Sequence, residues 1–238
     1  MSLLTDAQLR KAILVGMLCI LGGCLISQAM MQLGGGPRDE PMDLSSQLPE
    51  GAPNDGMVFP DGMPPFISSG GVFYPEKAVF DIGLGITGLL FMLLAVEIFL
   101  RTKDANQNAH WARKIAMWAQ PVVGLGTGFS LVMLTRHPFD VSLVKHILYA
   151  TAIFWGGQVW IFLFAISRNH LDVGIMWRGR SVGFWRWVAF GASVLSFQLM
   201  TAFIAADMLV KSAIFEWTLT FAFEAAVLTL IPILEDKH

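Results

Sequence analysis

The side chains with chemical capacity in this chain are few, and most stand beside long apolar runs. Glu76, His146 and Glu216 are an acid, an imidazole and a second acid, each close to the start of an apolar segment. A carboxylate–imidazole–carboxylate set brought together can bind a lipid head group or move protons. It can equally be an internal polar staple that ties helices to one another. Glu224 differs, because it falls near the middle of an apolar run with Thr220 as its nearest polar neighbour. A carboxyl at that depth is expected to be protonated, or to find a partner on another helix or in a water-filled cavity. It therefore marks either a hydrogen-bonded acid inside the protein or a substrate or proton path. Gln120, Gln158 and Gln198 are the other polar side chains so placed.

The elements that must position these groups are six stretches of roughly twenty residues, each long enough to cross a hydrocarbon core of about 30 Å as a helix. With 55% hydrophobic and 14% charged residues and a mean hydropathy of +0.59, the chain reads as an all-α, polytopic membrane protein. We expect one domain over residues 1–238, with spans at 12–33, 77–100, 113–135, 142–167, 184–210 and 213–233. An irregular first outer loop fills 34–76. The first apolar run is too long for a signal-peptide core and shows no clear cleavage site, so it reads as an uncleaved helix.

Loop charge sets the expected orientation. Arg10 and Lys11, then Arg101, Lys103, Arg113 and Lys114, then Arg168, Arg178, Arg180 and Arg186 fall in alternate connections. The first loop instead holds Asp39, Glu40, Asp43, Glu50, Asp55 and Asp61 against Arg38. Excess Lys and Arg marks the cytoplasmic side, which places both termini there. Glu76, His146 and Glu216 then sit at similar depth beneath the outer face. The first loop is rich in Gly and Pro, as in Gly34-Gly35-Gly36-Pro37, Pro49-Glu50-Gly51-Ala52-Pro53 and Pro60-Asp61-Gly62-Met63-Pro64-Pro65, which favours turns. Its Phe59, Phe66, Ile67, Phe73 and Tyr74 suit a loop that folds back onto the helix ends. Trp177, Trp185 and Trp187 beside Arg178, Arg180 and Arg186 suit contact with an anionic leaflet, either as a simple anchor or as a phosphoinositide site.

Other readings are excluded. A net charge of −2 without a basic patch argues against nucleic acid. Gly83-Leu84-Gly85-Ile86-Thr87-Gly88 matches a dinucleotide fingerprint in letters, yet it lies inside a membrane helix rather than after a strand. It and Gly124-Leu125-Gly126-Thr127-Gly128 suit close helix approach. Only His146 of five histidines enters a span, too few for a transmembrane haem with paired ligands. Cys19 and Cys24 point different ways on one helix and read as packing residues. We expect no cofactor and no metal. Lys77–Asp81, Glu97–Arg101 and Asp207–Lys211 are each spaced to pair locally near a span end.

Short motifs then carry a resemblance. Pro65-Phe66-Ile67-Ser68-Ser69-Gly70-Gly71 followed by Tyr74-Pro75-Glu76-Lys77-Ala78-Val79-Phe80 resembles the signature that leads into the second helix of the Frag1/DRAM/Sfk1 family. The Gly-rich third span and the His146-containing fourth, and then Glu216-Trp217 with Phe221 and Phe223, are similar to further segments of that family. The resemblance runs over about residues 12–233, although the outer loop is longer and Glu224 replaces a usually apolar position. It implies six spans with both ends cytoplasmic, and a role in membrane lipid handling. Members are linked to lysosomal autophagy control, GPI-anchor lipid remodelling and recruitment of a phosphatidylinositol 4-kinase complex. The motif residues Ser68, Glu76, His146, Glu216 and Trp217 coincide with the outer polar set.

The expectation is therefore a non-enzymatic membrane protein that binds membrane lipid or a protein partner through Ser68, Glu76, His146, Glu216 and Trp217. Arg178, Arg180 and Arg186 would face the lipid surface. A proton-coupled transporter or channel using Glu224 is the alternative. A lipid-modifying enzyme using Ser68 or His146 is weaker, because no nucleophile–base–orienter set has recognisable spacing.

Overall fold

The computed structural model describes residues 2–50 and 57–235. Six helices are long and apolar enough to cross a membrane. They are α1 (Asp6–Leu33), α2 (Glu76–Lys103), α3 (Trp111–Leu134), α4 (Leu143–Arg168), α5 (Val182–Ala205) and α6 (Leu209–Leu228). A short α7 (Ile231–Glu235) continues α6 after a break. Pro232 there lacks the N–H that an unbroken helix would need.

Two helix ends differ from expectation for local reasons. α1 begins at Asp6 rather than 12, because a capping box opens it. The Gln8 N–H donates to Thr5 Oγ1 at 3.2 Å, and the Thr5 N–H donates to Gln8 Oε1 at 2.9 Å. That satisfies donors left open at a helix start, so a polar turn joins the apolar run. The fifth span stops at Ala205 rather than 210, since Asp207 turns the chain with φ of 56°. The expected Asp207–Lys211 pair is not among the described ion pairs; Lys211 Nζ lies 3.7 Å from Met208 Sδ. Lys77–Asp81 at 3.1 Å and Arg101–Glu97 at 2.6 Å do pair.

Helices α1 to α4 pack as neighbours in chain order, while α5 and α6 form a hairpin laid against α4. The seam between α6 and α1 is thin. Glycine sets the closest approaches. A methyl added to Gly83 would fall 2.8 Å from Gly23 Cα, and one on Gly88 would fall 2.6 Å from the Gly128 carbonyl oxygen. Backbone therefore meets backbone at α1–α2 and α2–α3, which is what the glycine runs are for.

Residues 34–50 and 57–75 form a cap over one end of the bundle. β1 (Met42–Asp43) pairs antiparallel with β2 (Val58–Phe59), and a 3-10 turn spans Ile67–Gly71. Met31, Leu44, Phe59, Met63, Val72, Phe139 and Leu143 give the cap its own core. Tyr74, by contrast, is largely exposed. Gln47 reaches across to the α3–α4 turn, where its Oε1 accepts from the Leu143 N–H at 3.0 Å and its Nε2 donates to the Asp140 carbonyl. This caps α4 from a distant side chain. Gly51, Ala52, Pro53 and Asp55 of this segment lie outside the described residues.

At the opposite end, Arg101 joins Glu97, Asp6 and the Leu4 carbonyl, and Glu97 also accepts from the Leu3 N–H at 2.9 Å. A second knot centres on Asp172. Arg168 Nη2 donates to it at 2.7 Å and Arg186 Nη2 at 2.8 Å. Arg186 further donates to Asn169 Oδ1 at 2.9 Å and Thr229 Oγ1 at 3.1 Å, and stacks 4.2 Å from the Phe164 ring centre. Its side chain is fully buried, so the expectation of a lipid-facing Arg186 is corrected. A guanidinium with its donors filled by an acid, an amide and a hydroxyl belongs to the interior. Arg178 and Arg180 are exposed, on the hairpin of β3 (Met176–Trp177) and β4 (Arg180–Ser181).

Candidate functional site

A cavity of about 140 Å³ lies between the α1–α4 layer and α6. Its lining runs along α1 from Leu9 to Cys24, along α2 from Phe80 to Leu94, and along α6 from Glu216 to Val227. At 1.5 Å per residue the α1 wall is about 22 Å long, longer than half of a bilayer core of about 30 Å. The small volume over that length describes a narrow slot. From α6 it receives Glu216, Thr220, Phe223, Glu224 and Val227, a spacing that follows one helix face.

The end beneath the cap is polar. The Ile67 N–H donates to Glu216 Oε2 at 2.8 Å, and Trp217 Nε1 donates to the Pro65 carbonyl at 3.2 Å. Adjacent residues at the start of α6 thus hold the 3-10 turn. Its glycines allow it to seat: a methyl on Gly70 would strike Ser27 of α1, and one on Gly71 would lie 2.8 Å from the Phe80 ring. His146 Nδ1 is 2.8 Å from the His137 carbonyl. In the neutral ring that contact makes Nδ1 the donor and leaves Nε2 as an acceptor. Ser68, His146 and Glu216 all line the cavity here.

Glu224 lines the same cavity about 12 Å further along α6, two turns and more from Glu216. It is 7% exposed, and its Oε1 is buried without a hydrogen-bond partner among the described residues. Three of the four lining hydroxyls, those of the threonines, donate to main chain, and Ser68 is the fourth. Thr87 donates to the Gly83 carbonyl at 2.8 Å, Thr127 to Val123 at 2.9 Å and Thr220 to Glu216 at 3.1 Å. Beyond Glu224 the walls are Leu9, Ile13, Leu94, Trp160, Ile161 and Val227, apolar except for the Trp160 indole N–H, which is buried without a hydrogen-bond partner among the described residues.

Of the residues expected at the site, Ser68, His146, Glu216 and Glu224 share one cavity. Trp217 stands beside it and holds the cap. Glu76 is elsewhere, fully buried and bound by Arg38, with Nε to Oε1 at 2.7 Å and Nη2 to Oε2 at 3.0 Å. It locks the cap to α2 and is not part of a triad with His146 and Glu216. Arg38 and Gln47 were missed from sequence, since their partners lie dozens of positions away. Arg178 and Arg180 stand 5.8 Å and 5.7 Å over the Trp177 and Phe184 rings, remote from the cavity. No group of three or more His, Cys, Asp or Glu is placed to hold a metal among the described residues.

Six apolar helices, sealed end to end by internal hydrogen bonds, define an integral, multi-pass membrane protein. The chain matches the Frag1/DRAM/Sfk1/Cwh43P N-terminal domain over residues 47–235, and it belongs to that family. Comparison with curated proteins, and with solved structures, returns no match.

Proposed function

We propose that this protein is a non-enzymatic lipid-binding membrane protein that seats one hydrocarbon chain in the cavity and its polar end beside Ser68, His146 and Glu216. The observation that carries this reading is the shape of the cavity: long, narrow, apolar-walled and polar at the end under the cap. Loop charge supports a topology with both termini cytoplasmic, which puts that polar end toward the outer leaflet. Arg178 and Arg180 then meet the cytoplasmic surface, where anionic head groups attract them.

The test is extraction in a native-lipid polymer followed by mass spectrometry of bound lipid, for the parent chain and for variants that fill the slot. Gly16 and Ala150 line the cavity, and a methyl on Gly16 meets only Leu90, at 3.7 Å. Gly16→Leu and Ala150→Phe should elute like the parent yet lose the co-purifying lipid. Undiminished lipid in both variants would contradict the proposal.

Glu224 supports a second reading, a proton-coupled carrier, because its Oε1 is unpartnered at depth. The apolar walls beyond it argue against a continuous path. Proton flux in liposomes that Glu224→Gln removes would favour the carrier; equal flux with either protein would exclude it.

A further inference from the structure

The polar chemistry of the cavity restricts what its occupant can carry, an inference that rests on the lipid-binding reading above. Among the described residues two carboxyl side chains line it, Glu216 and Glu224, and no Lys or Arg does. Two basic side chains at the cap end are committed elsewhere: Arg38 to Glu76, and Lys77 to Asp81 at 3.1 Å. Thr87, Thr127 and Thr220 have turned their hydrogens to backbone carbonyls, so they offer the cavity lone pairs only. When its ring is neutral, His146, with Nδ1 on the His137 carbonyl, leaves an acceptor. The donors the cavity retains are neutral: the Ser68 hydroxyl at the cap end, and the Trp160 indole N–H against Gly124, buried without a hydrogen-bond partner among the described residues.

A phosphate or carboxylate in this slot would be desolvated with no cation to compensate it, which is costly in an apolar interior. A hydroxyl or an amine is the converse case. It brings the hydrogen-bond partner that Glu224 Oε1 lacks among the described residues, and an amine adds a charge complementary to an ionised carboxylate. The two acids also stand about 12 Å apart along α6, so one polar end engages one of them while its chain follows the remaining apolar wall.

We propose that the cavity selects a single-chain lipid whose polar end is a hydrogen-bond donor, a hydroxyl or an amine, held by Glu224 or Glu216, and rejects phosphate and carboxylate ends.

The test uses the full chain in detergent with five probes of one chain length: octadecene, oleyl alcohol, oleylamine, oleate and oleoyl lysophosphatidate. Binding is read by native mass spectrometry and by competition against a fluorescent fatty alcohol. The expected result is oleyl alcohol or oleylamine bound about tenfold or more tighter than octadecene, with oleate and lysophosphatidate weakest. Tighter amine than alcohol identifies charge pairing as the selective element; equal affinities identify the donated hydrogen alone. In Glu224→Leu and Glu216→Leu, one variant should lose the alcohol's advantage while octadecene affinity is kept. Comparable binding of all five, or preference for lysophosphatidate, overturns this selectivity and leaves the lipid-binding reading standing. Binding of none overturns both. The probe series on the parent chain decides the matter even if a variant fails to fold.

Discussion

The Ile67 N–H and the Glu216 carboxylate meet at 2.8 Å across 149 positions of chain. This bond makes the 34–75 cap part of the cavity wall, because Ile67 and Ser68 line the slot only while the turn is held down. Glu216→Ala leaves the Ile67 N–H buried and unpaired, at a cost of roughly 1–3 kcal/mol, whereas Glu216→Gln keeps an acceptor. Limited proteolysis should show faster cleavage within 34–75 for the alanine variant and a near-parent rate for the glutamine variant. Equal rates for parent and alanine would show that the bond does not hold the cap.

Glu76 and Arg38 are a second fastening of the same cap. The acid is fully buried and the guanidinium grips both of its oxygens. Removing the cation alone strands a buried charge, which is worse than removing both partners. Arg38→Leu should therefore lower the thermal midpoint more than the double variant Arg38→Leu with Glu76→Gln. A double variant no more stable than the single would contradict this.

Asp172 gives the opposite end a pH dependence. Burial works to raise its carboxyl, but the hydrogen bonds and charge of Arg168, then those of Arg186, outweigh it and hold it below the usual carboxylate range. A folded value below the unfolded one stabilises fully above about pH 4, and that stabilisation is lost as pH falls through the folded value. Thermal unfolding scanned downward from neutral pH should show this acid loss, and Asp172→Asn should flatten it. The same variant should lose roughly 3–5 kcal/mol at neutral pH, since buried Arg186 is left without its counter-charge.

The glycines of α2 are separable by their surroundings. A methyl on Gly83 would lie 2.6 Å from the Cys19 carbonyl oxygen, whereas one on Gly85 meets nothing within 4 Å. Gly83→Ala should destabilise by about 1–3 kcal/mol, and Gly85→Ala should be neutral or slightly stabilising. Denaturation in a fixed detergent compares them directly.

The six helices were legible because charge is excluded from hydrocarbon, and that rule acts on each segment by itself. Local ion pairs at i,i+4 were legible for the same reason, as Lys77–Asp81 and Glu97–Arg101 show. What escaped was long-range. Arg186 read as a surface residue because its company of tryptophans suggests an interface, and nothing local reveals that Asp172 folds back over it. Glu76 read as part of a triad because topology gives depth but not azimuth, and Arg38 is 38 positions away. The cavity itself has no sequence signature beyond the stripe Glu216, Thr220, Glu224 on one face of α6.

The glycine contacts described for α1, α2 and α3 have a mechanical consequence. Where Gly23 meets Gly83, backbone lies on backbone, and where Gly88 meets Gly128 the same close approach is flanked by Val132 and Met92. That side of the slot is a fixed jaw. The α5–α6 hairpin, leaning on α4 and only thinly against α1, is the jaw that can travel. On the lipid-binding proposal, a bulkier occupant would displace α6, which would carry both acids with it, so the grip on the polar end and the width of the slot would change together.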